Sequence, residues 1–247
     1  MKNLIQKKFI GSIYYPGGLP FTHELFTYSY GKMIEYNCKK FGDKIHYGVV
    51  RSSSHSYARN IMSQASLGDW VIMFDTDAQF EPDVAVRMIE CMEKYKLHVL
   101  SGVYLYKKSP HFPVLYTHNE DNKAYQTLGY WKGNKKDLEI FRIAAAGGGC
   151  LLVRKWAFQY IEQQLNEKPF DIRKPFDNPY SDQLGEDMSF FDRCRQLDIE
   201  VFCNPSITVQ HIMQKPLVLH EDYMLKQQLS NKKYQVIIKG LGDKRLK

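Results

Sequence analysis

Cysteine is scarce in this sequence, and none of it is arranged for chemistry. Five occur among 247 residues: Cys38, Cys91, Cys150, Cys194 and Cys203. No two form a C-x-x-C pair and the number is odd, which argues against a zinc cluster or a disulfide framework and for free thiols in reducing surroundings. Long apolar runs are also missing. No stretch approaches the roughly 18 uninterrupted apolar residues of a membrane span. The segment from Met1 to Gly11 lacks the apolar core of a secretory signal. The expectation is a soluble cytoplasmic protein, with any membrane contact peripheral. There is no internal repeat and no low-complexity linker, which excludes solenoids and tethered arrays.

Excess charge is concentrated in one place. The formal net charge is +7, but residues 223–247 hold seven Lys or Arg against one Asp and so carry +6, leaving the other 222 residues at +1. A nearly neutral body argues against a nucleic-acid-binding module as the whole function. The basic tail reads either as a contact for an anionic membrane or nucleic acid, or as a solvated end. The organisation expected is one domain over 1–222, with a first half to about 106 and a second half from 107, followed by the tail.

What is present is an ordinary globular composition, 44% hydrophobic and 25% charged, long enough to bury the core of one large α/β domain. Period and punctuation predict a strand from Phe9 to Tyr15 ended by Pro16-Gly17-Gly18. A helix follows from Thr22 to Phe41, with Thr22 or His23 at its start, then a strand from Ile45 to Val50 and a helix from His55 to Leu67. Trp70 to Phe74 is apolar throughout, as a central parallel strand buried on both faces would be. Glu81-Pro82-Asp83 opens a third helix, and Val99 to Tyr106 is another strand. This alternation predicts an open, mostly parallel sheet with helices on both faces, which binds ligands beyond the carboxyl ends of its strands. From 107 to 137 loops or a short hairpin are expected. Ile140 to Arg154 reads as a strand whose Gly147-Gly148-Gly149 lets something approach the backbone closely. A helix from Trp156 to Leu165, a loop to Leu184, a helix from Glu186 or Asp187 to about Leu197, and short strands at Val201 to Cys203 and Thr208 to Gln210 complete the pattern.

Four constellations carry chemistry. Asp75 and Asp77 flank Thr76 at the end of the apolar strand, where two carboxylates need a partner. A divalent cation with hard oxygen ligands, Mg²⁺ or Mn²⁺, is the simplest one, and an ordinary strand-end turn is the alternative. Glu186-Asp187 either complements a helix dipole or supplies a general base, Asp187, with Glu186 holding the acceptor. His211 closes a strand and either packs or gives a nitrogen to the same metal. Arg59, in Ala58-Arg59-Asn60, pairs with a diphosphate, orients Asp75, or lies on the surface. Gly148 and Tyr104 are placed on the acceptor side, and Tyr15, Pro16 and Thr76 on the donor side.

In order along the chain, these pieces resemble the GT-A glycosyltransferases, particularly family 2-type members. The likeness rests on Ile10 to Gly18, Ala58-Arg59-Asn60, Gly68 to Asp77, Gly147 to Val153, Glu186-Asp187 and His211, and it spans Phe9 to Ile212. It implies a GT-A fold, a nucleoside-diphosphate-sugar donor, and Mn²⁺ or Mg²⁺ held by Asp75, Asp77 and His211. It also gives Asp187 the role of base in an inverting transfer. Two places depart from the family pattern. Val50-Arg51-Ser52-Ser53 stands where members often carry an acid that reads the base, and the first strand ends in Tyr14-Tyr15-Pro16, where Tyr15 is the candidate to stack on the base. A uridine donor is the commonest expectation. The acceptor hydroxyl is left open between a glycan, a lipid-linked sugar and a hydroxylated base in DNA. A sugar nucleotidyltransferase ranks lower, because Pro16-Gly17-Gly18-Leu19-Pro20 contains no Lys or Arg for a phosphate loop.

Overall fold

The computed structural model describes residues 9–17, 22–108, 111–129 and 140–212. The basic tail and the stretch 130–139 lie outside the described residues. The chain begins with β1 (Gly11–Pro16), α1 (Glu24–Phe41), β2 (Ile45–Val50), α2 (His55–Ala65) and β3 (Trp70–Phe74), followed by β4 (Ala78–Gln79), α3 (Val84–Tyr95) and β5 (Val99–Val103). A hairpin, β6 (Leu115–Asn119) and β7 (Ala124–Thr127), comes next. Then come β8 (Phe141–Ile143), β9 (Ala145–Ala146), β10 (Cys150–Arg154), α4 (Lys155–Leu165), α5 (Glu186–Gln196), β11 (Val201–Thr208) and β12 (Gln210–His211).

One seven-stranded sheet organises the molecule, in the order β2-β1-β3-β10-β5-β11-β8. Five of its strands point one way, while β10 and β8 run against them. The expected open α/β sheet is therefore present and mostly parallel. Its central strand β3 alternates strictly. Trp70, Ile72 and Phe74 enter one core with Phe26, Met33 and Met88 of α1 and α3. Val71 and Met73 enter the other, with Ala58, Met62, Phe158 and Phe190 of α2, α4 and α5. Burial on both faces is what an uninterrupted apolar pentapeptide requires.

Several boundaries differ from the sequence reading, each for a local reason. Of the two expected starts of α1, Thr22 and His23, it is His23 that caps the helix, through Nδ1, which accepts from the Leu25 amide at 3.2 Å, so the helix begins at Glu24. The third helix begins at Val84, and Glu81-Pro82-Asp83 forms its approach, with no acid in its first turn. The single strand expected over Ile140 to Arg154 is three strands, because the glycine run is a turn before β10. Of the two short strands expected near the C-terminus, the first is longer, since β11 runs from Val201 to Thr208 past Pro205 with a register shift between Cys203 and Thr208, and the second, β12, begins only at Gln210. Gly68, at φ +83°, begins the turn into β3; a β-carbon there would lie 2.3 Å from the Ile10 carbonyl carbon.

Candidate active site

Parallel strands deliver their ends to one edge. The carboxyl ends of β1, β3, β5 and β11 share that edge with the amino end of antiparallel β10. Pro16, Asp75, Tyr104 and Gly149 therefore meet there, at the crevice where α/β sheets bind ligands.

Arg59 is the centre of the cluster. It lies in the second turn of α2, a helix capped by Ser54, whose Oγ accepts from the Tyr57 amide. Its side chain is 2% exposed. Nη2 donates to Asp75 Oδ1 at 2.7 Å, Nη1 donates to the Gly148 carbonyl at 2.9 Å, and Nε faces Glu186 Oε1 at 3.5 Å. Burial works against the guanidinium charge, but Asp75, Glu186 and Asp187 outweigh it and hold the pKa above the ordinary arginine value. Arg59 thus ties three separate segments into one polar cluster. The neighbouring Asn60 does similar work further out, donating to Asp171 Oδ1 at 2.7 Å and accepting from the Phe170 amide at 2.9 Å.

The glycine run exists to admit these side chains. Gly147, Gly148 and Gly149 all have negative φ, so space and not backbone freedom requires them. A β-carbon at 147 would sit 1.8 Å from Tyr104 Oη, one at 148 would sit 2.3 Å from Arg59 Cζ, and one at 149 would sit 3.1 Å from Asp75 Oδ2. The Gly149 amide donates to Tyr104 Oη at 3.1 Å. Burial, then the charges of Asp75 and Asp187, push the Tyr104 phenol well above its ordinary pKa, so it stays neutral.

Asp77 belongs to a second arrangement beside the first. β4 and β12 pair antiparallel, setting His211 opposite Ala78, and the Ile212 amide donates to the Asp77 carbonyl at 2.6 Å. His211 Nδ1 lies 2.6 Å from the Leu105 carbonyl, which can only accept, so Nδ1 carries a proton and Nε2 is the nitrogen that a neutral ring would offer as a ligand. That Nε2 is 3.7 Å from Asp77 Oδ2. The His211 ring also packs edge-on against Tyr104, 5.0 Å between centroids. An imidazole locked by a backbone carbonyl and aimed at a carboxylate is how proteins prepare a metal ligand. Among the described residues no third His, Cys, Asp or Glu joins the pair. A two-ligand site fits Mg²⁺ or Mn²⁺, which usually take a few protein ligands and complete their shell with water and substrate phosphate.

Glu186 and Asp187 form the first turn of α5, behind an N-cap, Gly185, that offers no side chain. They therefore complement the helix dipole as well as face the site. Phe190 and Phe191, both fully buried, anchor the next turn. Burial and the adjacent Glu186 raise the Asp187 pKa, against the lowering influence of Arg59. Its Oδ1 accepts from the Met188 amide at 2.7 Å.

The remaining predicted residues are spread around this edge. Pro16 ends β1 opposite Val50, and Thr76 lies in the turn between β3 and β4. The Tyr15 ring packs edge-on against Phe26 and Tyr30, at 5.0 and 4.9 Å between centroids. The sequence reading missed Lys107, whose ammonium bonds Asp77 Oδ2. Its only signal was a basic residue just past a strand at the binding edge. It also missed a clasp that joins β7, the loop before α5 and α5 itself. There Arg195 bonds Asp177 and the fully buried Asp192, and Tyr125 donates to Asp192 Oδ1 at 3.0 Å.

Comparison with known proteins follows the same lines. No curated protein matches. Among solved structures, A197 from STIV is 13% identical, with 85% of this chain and 94% of that one aligned at a TM-score of 0.43. GalNAc-T7, solved with UDP, GalNAc and Mn²⁺, is 14% identical with a TM-score of 0.53, over 82% of this chain and 43% of that one. The chain thus spans less than half of GalNAc-T7, and the likeness is one of fold, the GT-A arrangement. The family model for glycosyl transferase family 2 matches residues 32–161, from within α1 through most of α4, and so takes in Arg59, Asp75, Asp77, Tyr104 and the glycine run. That segment is more than half of the chain, and the chain belongs to glycosyl transferase family 2.

Proposed function

We propose that this glycosyltransferase moves a sugar from a uridine-diphosphate donor to an acceptor hydroxyl with inversion, and that it depends on Mn²⁺ or Mg²⁺. The observation that carries the metal-dependent reading is His211, whose Nδ1 is held by the Leu105 carbonyl so that Nε2 is aimed at Asp77 Oδ2. GalNAc-T7, which shares the fold, was solved with UDP and Mn²⁺, and this supports the donor class.

Asp77 and His211 would hold the ion, with Asp75 beside them, and the ion would supply Lewis-acid neutralisation of the departing diphosphate. The other work falls to the chain's own groups. Arg59 is committed to Asp75, Gly148 and Glu186, so it acts as a positioning residue and fixes Asp75 at the donor side. Tyr15, Pro16 and Thr76 border the donor side of the edge.

Asp187 takes the proton from the acceptor oxygen as that oxygen attacks the anomeric carbon and the bond to diphosphate breaks. A base is most effective when its pKa approaches the working pH, and the upward shift of Asp187 moves it that way. Glu186, Tyr104 and Gly148 flank the same ground on the acceptor side. One displacement, without a covalent enzyme intermediate, inverts the anomeric centre.

The test is turnover of UDP-sugars against a panel of hydroxyl acceptors, with the product anomer read by NMR. Inverted product from wild type and none from Asp187→Asn supports the reading. Retained configuration, or full turnover by Asp187→Asn, removes Asp187 from the role of base.

A further inference from the structure

The segment Leu105 to Lys107 touches the Asp77–His211 pair from two sides. The Leu105 carbonyl sets the His211 tautomer, and two residues later the Lys107 ammonium bonds Asp77 Oδ2. That is the same carboxylate oxygen that faces His211 Nε2. The backbone here is fixed rather than incidental. Leu105 bridges Pro113, and the Tyr106 amide donates to the Phe112 carbonyl at 2.9 Å.

Lys107 therefore stands where a cation is wanted. An ammonium and a divalent ion cannot both sit on one carboxylate oxygen without strong repulsion. The Lys107–Asp77 pair is about 40% exposed on each side, at 42% and 39%, so it is easily exchanged. An incoming ion would free Lys107 next to the place where a diphosphate must lie if it is to share that ion.

We propose that Lys107 is an exchangeable counter-ion of this site. It neutralises Asp77 while no divalent cation is bound, and it moves to the donor's diphosphate when the cation takes the carboxylate. This deepens the proposed function and rests on Asp77 and His211 being ion ligands. Both positions keep the local charge balanced, which lowers the penalty of an empty acidic site and adds a phosphate contact to a loaded one.

The two positions give Lys107→Met effects of opposite sign, which a merely structural lysine would not. Mn²⁺ alone, followed by the electron paramagnetic resonance signal of the free ion, is expected to bind Lys107→Met roughly two- to fivefold more tightly than wild type, because no ammonium has to leave. UDP, GDP, CDP and TDP are then titrated calorimetrically with Mn²⁺ saturating. The one that binds wild type is expected to bind Lys107→Met about tenfold more weakly, through loss of a charged hydrogen bond. Lys107→Arg restores both affinities to near wild type. Mn²⁺-dependent nucleotide binding that is the same in wild type and Lys107→Met overturns this proposal and leaves the metal site standing. Absence of any Mn²⁺-dependent nucleotide binding by wild type overturns both.

Discussion

Replacing Gly148 by alanine separates two accounts of the glycine run. The added β-carbon would lie 2.3 Å from Arg59 Cζ and 2.4 Å from Nη2. A free arginine would swing aside at little cost. Arg59 is 2% exposed and held by Asp75 and by the Gly148 carbonyl, so it cannot move without breaking both bonds. Breaking a buried charge pair while leaving one partner in place costs about 3–5 kcal/mol. That is a large part of the roughly 5–15 kcal/mol that holds a typical domain together.

For a chain of this size about 2–4 °C of Tm is lost per kcal/mol, so a fall on the order of 10 °C is expected. Urea denaturation gives the stability and calorimetry gives nucleotide affinity. Both should fall, because Asp75 loses its orienting partner. If the glycine instead only cleared room for the acceptor, Gly148→Ala would raise the acceptor KM and leave stability and nucleotide affinity alone. That result would refute the packing argument.

Three further outcomes follow from the same geometry. Asp187→Asn should abolish transfer while keeping nucleotide affinity. It should also raise Tm at neutral pH: a carboxyl whose folded pKa is raised favours folding below its unfolded pKa and loses that contribution as pH rises through the folded value, so the ionised side chain is a burden that Asn lacks. An equal or lower Tm contradicts the burial assigned to Asp187. The acid limb of kcat/KM should fall above the ordinary aspartate range of about 3.9 and disappear with Asp187, and a limb unchanged in any residual activity of Asp187→Asn would assign it elsewhere. Arg195→Met should cost roughly 1–3 kcal/mol by taking one charged partner from fully buried Asp192, which keeps Arg173 at 3.5 Å, and, with the second half serving the acceptor as proposed, should weaken acceptor use while sparing nucleotide binding. Nucleotide affinity lost in step with stability would show that the clasp is not confined to the acceptor side.

Much of the first half was legible because its signals are local. Trp70 to Phe74 is apolar at every position and Asp75 follows at once, so a buried strand ending in carboxylates could be read without partners. The direction of β10 could not. Cys150 to Val153 is apolar on both faces whichever way it runs, and only the turn at Gly147–Gly149 reverses it. Those glycines were rightly read as permitting close approach. What approaches them, Arg59 from 89 residues away, is a through-space fact. Lys107 eluded the reading for the same reason, since its partner Asp77 lies 30 residues back. His211 was legible as a strand-end histidine, but its tautomer depends on a carbonyl 106 residues distant. The first of the final strands was expected to end at Cys203, whereas β11 continues to Thr208 with a shift of register that no local signal announces.

The central claim is a metal-dependent nucleotide site built on Asp77 and His211. Calorimetric titration of UDP, GDP, CDP and TDP, each with Mn²⁺ and again with EDTA, into wild type and Asp77→Ala tests it most directly. The account predicts that one diphosphate, UDP first among them, binds wild type with Mn²⁺, that EDTA removes the binding, and that Asp77→Ala does not recover it. Binding equally strong in EDTA, or unchanged in Asp77→Ala, would contradict the site.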